Sequence, residues 1–293
     1  MKRILKLLLK LALTAFALWF VFSKIDIEQL HESLKSASWG WLAAAFLLFN
    51  ASKIASALRL ELYFRAIGLR LDPFYNLILY YVGMFYNLFL PGGIGGDGYK
   101  IYLLNRRYKK PLKPLFQAIL LDRLSGLAAL GVLALLLLGF SAYVALLGQW
   151  SRWTAWIAAL AVWPIAWWAT KRFFSDFLPV FTPTMVWGLG VQLLQLLCAW
   201  AILAALGVDE RIVDYLTLFL VSSVAAVLPI TVGGVGIREL TFLYGLPLIH
   251  RAPEEGVTFS LLFFAVTALS SLTGLFWINR VTTRDEKLYQ SRK

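Results

Sequence analysis

Residues 90–100 read Leu90-Pro91-Gly92-Gly93-Ile94-Gly95-Gly96-Asp97-Gly98-Tyr99-Lys100, and residues 228–238 read Leu228-Pro229-Ile230-Thr231-Val232-Gly233-Gly234-Val235-Gly236-Ile237-Arg238. Both follow the pattern L-P-x-x-x-G-G-x-G-x-[K/R] at an offset of 138, with five identities and one shared base in eleven positions. Each ends an apolar run, Phe74 to Leu90 or Tyr215 to Leu228, and each precedes a second short, mostly apolar piece, Ile101 to Leu104 or Leu240 to Ile249. Proline removes a backbone donor and stops a preceding helix, while glycine takes unusual backbone angles and lets segments approach closely. The pattern predicts two broken helices, each a hairpin that penetrates the membrane and returns to the same side. Pro91, Gly95, Gly96 and Gly98 would form one break, and Pro229, Gly233, Gly234 and Gly236 the other.

Six further apolar runs read as ordinary spans: Ile4 to Phe22, Trp39 to Leu58, Leu115 to Phe140, Trp153 to Thr170, Met185 to Leu206 and Val257 to Ile278. A helix crosses a bilayer core in about 20 apolar residues. The composition agrees, with 60% hydrophobic and 15% charged residues in a chain of 293, against roughly 45–50% and about 25% in a soluble domain. Trp39, Trp41, Trp150, Trp153 and Trp277 lie near the ends of these runs, where an interfacial belt belongs. The basic start of the chain resembles a secretory leader. Its small-x-small triplet Ala15-Phe16-Ala17, however, lies inside the apolar run, so the segment reads as an uncleaved first helix.

The net charge is +12, from 28 Lys plus Arg against 16 Asp plus Glu. Because the bases lie between apolar runs, the excess reads as topology and no nucleic-acid partner is expected. With the N-terminus cytoplasmic and both broken segments returning to their side of origin, the cytoplasmic segments hold 19 Lys or Arg, Arg59 among them. The outer loops then hold five: Lys24, Lys35, Arg152, Arg211 and Arg251. Full crossing by both segments would turn the basic clusters at 106–113 and 171–172 outward, against the positive-inside rule. The expected fold is therefore an all-α polytopic membrane protein, with about six spanning helices plus two re-entrant helical hairpins. It would form a single integral membrane domain over 1–293 in the cell inner or plasma membrane, with both termini cytoplasmic. Its halves, about 1–140 and 153–279, start on opposite sides, which makes them an inverted repeat, an arrangement that transporters use to place broken elements around a midplane site.

Soluble chemistry finds little support. Cys198 is the one cysteine and lies in an apolar run, and His31 and His250 fall in separate polar segments, so no metal site and no Cys/His nucleophile is expected. Gly93 to Gly98 matches G-x-G-x-x-G, but that fingerprint needs a preceding strand, and Lys100-Ile101 lacks the register and the hydroxyl of a P-loop. No catalytic residue or cofactor is assigned.

The ionisable residues in or near the apolar runs are the candidate site, because a charge at a helix centre costs at least about 2.5 to 3.5 kcal/mol. They are Lys53, Asp97, Lys100, Asp122, Arg123, Arg238 and Glu239. Asp97 and Lys100, three apart, share a helix face, whereas Asp122-Arg123 and Arg238-Glu239 diverge by about 100° and should meet separate partners. One reading makes them a neutralising structural network. The other gives Lys100, Arg123 and Arg238 an anionic lipid head group to hold, and Asp97 or Glu239 a coupling proton. Asn50 and Lys53 form a polar pair on the second run, as do Gln192 and Gln195 on its counterpart; both pairs either line a cavity or bond helices together.

The segments Pro91 to Leu104, Leu121-Asp122-Arg123 and Pro229 to Glu239 together resemble the transmembrane region of lysylphosphatidylglycerol synthases and related stand-alone flippase-like membrane proteins. Members of that family often carry Arg where this chain has Lys100, which keeps the charge without the bidentate fork. The sequence runs 15 residues past its last span, too short for the soluble aminoacyl-transferase domain of the full synthases, so a non-enzymatic role is expected. The resemblance implies lipid handling: a flippase or transporter for an anionic or polyisoprenoid-linked lipid. The alternative is an accessory subunit that binds lipid or positions a membrane glycosyltransferase or lipid-modifying enzyme. The implied partners are membrane lipids.

Overall fold

The computed structural model describes Trp19 and residues 27–89, 94–148, 150–227 and 236–281. The expected span at 4–22 apart from Trp19, the break residues Pro91, Pro229, Gly233 and Gly234, and the tail bases from Arg284 onward lie outside these residues. Among the described residues there is helix and no strand. The helices are α1 (Ile27–Ser36), α2 (Trp39–Ala66), α3 (Pro73–Phe89), α4 (Gly95–Tyr108), α5 (Leu112–Leu138), α6 (Tyr143–Leu147) and α7 (Trp150–Phe173), followed by α8 (Phe181–Ala205), α9 (Ile212–Val227), α10 (Ile237–Gly245) and α11 (Pro253–Leu272). With short 3-10 segments continuing α8 and α11, four helical stretches are long and apolar enough to cross a membrane: Trp39–Ala66, Leu112–Leu138, Ser175–Ala205 and Pro253–Val281. The expected span at 153–170 is a helix, α7, but its six tryptophans, each with a polar N–H, keep it out of that set.

Helix ends follow local chemistry. Gly68 closes α2 and Gly207 closes α8, at φ +68° and +72°. In each, two crossed backbone bonds complete a Schellman cap: Leu69 N–H to Phe64 O and Gly68 N–H to Arg65 O, then Val208 N–H to Leu203 O and Gly207 N–H to Ala204 O. A side chain at either glycine would strain a left-handed backbone.

The chain has two distinct ends. At one, Lys110 Nζ donates to Ile67 O at 3.3 Å, the ring of Tyr63 meets Phe177 at 6.1 Å, and Val281 belongs to the same apolar cluster as Leu69, Leu71 and Phe177. At the other, Ser38 N–H donates to Ala205 O at 2.8 Å, Ala142 N–H to Asp214 Oδ1 at 2.6 Å, and Arg251 pairs with Glu210. The Arg251 hydrogen bond, followed by its charge, holds the Glu210 carboxyl below its usual range.

Two helical hairpins open at these opposite ends. In α3–α4, Arg107 stacks on Tyr75, Lys100 on Tyr80, Tyr86 on Tyr99, and Asn87 accepts from Gly96 N–H at 2.8 Å, which is an antiparallel pairing. In α9–α10, Gly245 meets Leu218, and Arg238 meets Phe219 and Ser223. Each hairpin packs on its own apolar cluster, one including Leu60, Phe64, Leu79 and Leu115, the other Phe49, Ile202, Phe219 and Phe263.

Candidate functional site

The middle of α2 separates those clusters. Residues Ala45 and Phe49 belong to one and Leu60 to Phe64 to the other, and between them lie Asn50, Ser52, Lys53, Ser56 and Arg59. On α5, Asp122, Arg123 and Ser125 lie between Leu121 and Leu130 in the same way. A polar layer therefore crosses the middle of two of the four helical stretches that are long and apolar enough to span a bilayer.

Asp122 and Arg123 diverge, as their adjacency requires. Arg59 Nε donates to Asp122 Oδ1 at 2.8 Å, tying α2 to α5, with both side chains buried. Arg123 pairs instead with Asp97, tying α5 to α4, and Asp97 also accepts from Lys100 Nζ at 3.3 Å. Lys100 Nζ stands 4.6 Å from the centre of the Tyr80 ring, and its aliphatic stem fills the space that a side chain at Gly83 would occupy. Asp97, Lys100 and Arg123 thus form one ion-pair cluster and Arg59 with Asp122 a second, the two meeting only through the adjacency of Asp122 and Arg123 on α5.

Arg238 lies on the other hairpin. Its Nη1 donates to Ser223 Oγ at 3.0 Å, and its guanidinium stands 4.8 Å from the centre of the Phe263 ring. Glu239 is buried and both its oxygens are engaged: Gly236 N–H donates to Oε2 at 2.6 Å and Ser260 Oγ to Oε1 at 2.9 Å. The bond from Gly236 N–H to Glu239 is the glutamate half of a capping box, glycine having no side chain to return it, and it fixes the start of α10. Lys53 Nζ stands 4.4 Å from the centre of the Phe49 ring, in electrostatic range of Arg59, Arg238 and Asp122. Asn50 receives the Tyr81 hydroxyl at 2.7 Å and donates to Ser270 Oγ at 3.0 Å, while Gln192 donates to Gly126 O at 3.2 Å. Asn50 and Gln192 are interhelical bonds in this structure.

Two sequence expectations are corrected. Arg59 is no loop residue: it is 5% exposed, inside α2, with Nη1 against Gly126 and Gly188. The apolar run stops at Leu58, but the helix continues to Ala66, and Ser52, Ser56 and Arg59 at i, i+4 and i+7 already mark its polar face. The second correction concerns Gly95, Gly96 and Gly98, which are helical residues in the first turn of α4 and not part of a break. Asp97 N–H and Gly98 N–H both donate to Ile94 O at 3.1 Å, so the helix has already restarted. Gly96 serves close approach, since a side chain there would strike Gly83 O, whereas a methyl group at Gly98 would meet nothing within 4 Å. Gly236, the counterpart of Gly98, is the true terminal residue, at φ +90°.

A multi-pass helical membrane protein with a charged layer between two oppositely directed hairpins is the class that this architecture defines. The chain belongs to the family described as the lysylphosphatidylglycerol synthase TM region, which it matches over residues 7–274. That membership bears out the family resemblance and relates the chain to membrane proteins of lipid modification or transport. No curated protein matches it.

Proposed function

We propose that the protein binds an anionic or polyisoprenoid-linked lipid by its head group and moves it between leaflets, without catalysing a reaction. The supporting observation is the charge of the central layer. Lys53, Arg59, Lys100, Arg123 and Arg238 face Asp97, Asp122 and Glu239, five bases against three acids, in a region where an uncompensated charge is costly. An anionic head group supplies the missing negative charge.

The two hairpins are the proposed gates, re-entrant from opposite faces of an inverted repeat. Displaced by 138 residues, α2, α3, α4 and α5 fall on 177–204, 211–227, 233–246 and 250–276, close to α8, α9, α10 and α11. Exchanging the halves also maps the packing onto itself: α3 meets α11 as α9 meets α5, and α2 and α8 each meet both α5 and α11. The basic end gathers Arg65, Arg70, Arg106, Arg107, Lys113 and Arg172, which supports a cytoplasmic orientation of that end in the cell inner membrane, and of both termini.

Transport is tested by reconstitution in liposomes carrying labelled phosphatidylglycerol or labelled isoprenoid phosphate. With a membrane-impermeant quencher outside, vesicles with the protein should lose the protected inner-leaflet label faster than empty vesicles. Arg238→Ala should slow that movement by about tenfold, the size of one lost charge-assisted contact. Movement no faster than in empty vesicles overturns transport in favour of an accessory subunit that binds lipid or positions a glycosyltransferase or lipid-modifying enzyme.

A further inference from the structure

The five central bases are not equivalent. Arg59 has Asp122, and Lys100 and Arg123 share Asp97. Lys53 and Arg238 have no carboxylate partner among the described residues. The two nearest acids are already engaged, Asp122 by Arg59 and Glu239 by Gly236 N–H and Ser260 Oγ. What holds the two unpaired cations is a shared aromatic shelf. Lys53 lies over Phe49, Arg238 over Phe263 and Phe219, and the rings meet edge to face, Phe49 to Phe263 at 5.9 Å and Phe263 to Phe219 at 4.8 Å. A ring face stabilises a cation less than water or a carboxylate does, and it leaves the N–H donors free. Lys53 makes no hydrogen bond among the described residues, and Arg238 uses Nη1 alone, to Ser223. Both residues are intermediate in exposure, neither sealed in an apolar core.

Two positive charges with several open donors, on one apolar shelf, ask for a compact anion with two negative charges and more than two acceptor oxygens. A phosphodiester carries one charge and two free oxygens; a terminal phosphate carries close to two charges and three oxygens. We infer that Lys53, Arg238 and Ser223 form the head-group site, that it selects a terminal phosphate (a phosphomonoester or diphosphate) over a phosphodiester, and that the ligand bridges the two halves, since Lys53 lies on α2 and Arg238 on α10. The inference rests on the lipid-handling reading above and narrows its substrate class. The charges of the Arg59–Asp122 pair and the Arg123–Asp97–Lys100 cluster are instead met within the protein.

Binding is read on the full chain in nanodiscs by native mass spectrometry, with dioleoylphosphatidic acid, dioleoylphosphatidylglycerol and inorganic phosphate as probes. Wild-type protein should retain phosphatidic acid at least about tenfold more tightly than phosphatidylglycerol. Lys53→Gln should erase that preference and Lys53→Arg should keep it. Without ligand, Lys53→Gln should melt no lower than wild type, because it removes an unpaired charge, an outcome that a structural role for Lys53 would reverse. Inorganic phosphate that competes with phosphatidic acid in a Lys53-dependent way supports the site and assigns it to the free anion. Equal retention of the two lipids by wild type overturns the inference without needing any variant, as does unchanged phosphatidic acid binding in Lys53→Gln. Lipid movement that persists in Lys53→Gln would sink this site and leave transport standing; phosphatidic acid selectivity without movement would do the opposite.

Discussion

Arg59 and Asp122 are sixty-three residues apart and make a 2.8 Å ion pair with side chains 6% and 10% exposed. Burying two charges is costly, and their attraction offsets the cost only while both are present. Arg59→Met or Asp122→Leu alone should therefore lower stability by about 3–5 kcal/mol, while the double variant should recover much of the loss. Thermal unfolding of the purified proteins, arranged as a double-mutant cycle, measures the coupling, and additive losses would show that the pair is not the unit. Which charges meet was partly legible in the sequence. Helical spacing alone brings Asp97 to Lys100 and sends Asp122 and Arg123 to separate partners. Arg59 escaped because it follows the last apolar residue of its run, where a base reads as a loop charge, and helix length past that point is decided by packing of Leu60, Tyr63 and Phe64. That Lys53 and Arg238 lack carboxylate partners among the described residues depends on which acids other residues occupy, and no spacing rule carries that.

The hairpins show the same division between local pattern and tertiary contact at the scale of elements. Their first arms were readable as apolar runs before a proline, 74–90 and 215–228 against the observed Pro73–Phe89 and Ile212–Val227. The second arm of the first hairpin was not, because its opening residues Gly95 to Lys100 are polar and glycine-rich. Close packing on α3 and the Asn87 side chain hold them in a helix that propensity disfavours. The glycines of one motif therefore divide by what faces them. Gly96→Ala sets a methyl group against the Gly83 carbonyl, a rigid backbone atom, and should destabilise by about 1–3 kcal/mol or separate the arms. Gly83→Ala meets only the end of the Lys100 stem, which can shift, and should cost less. Gly98→Ala enters open space inside a helix and should be neutral or stabilising by up to about 1 kcal/mol. Melting temperatures of the three variants test the order, and a Gly98→Ala loss as large as that of Gly96→Ala would contradict it.

At the scale of the whole molecule, the separation of charge by end ties topology to mechanism. The Lys110 to Ile67 bond, and the apolar cluster that Val281 shares with Leu69 and Leu71, place the turns around 67–72 and 109–111 with the end of the last described helix, so both arms of α3–α4 start and finish at the basic end. The α9–α10 hairpin opens where Arg251 meets Glu210 and where Asp209, Asp214, Glu254 and Glu255 offset Arg152 and Arg211. On the function proposed above, hairpins opening at opposite ends of one polar layer would give each leaflet its own route to the same charges, as alternating access requires. A first hairpin that crosses the membrane fully would turn Lys113 and Lys171 outward, whereas the proposed re-entrant one keeps them inside, so impermeant maleimide labelling of single cysteines decides the matter. Cys198 is buried and provides a silent background. In intact cells Arg152→Cys and Asp209→Cys should label, while Lys113→Cys and Lys171→Cys should label only after permeabilisation. Labelling of position 113 from outside would remove the re-entrant arrangement, and with it the two-gate mechanism, while leaving the helical contacts as they are.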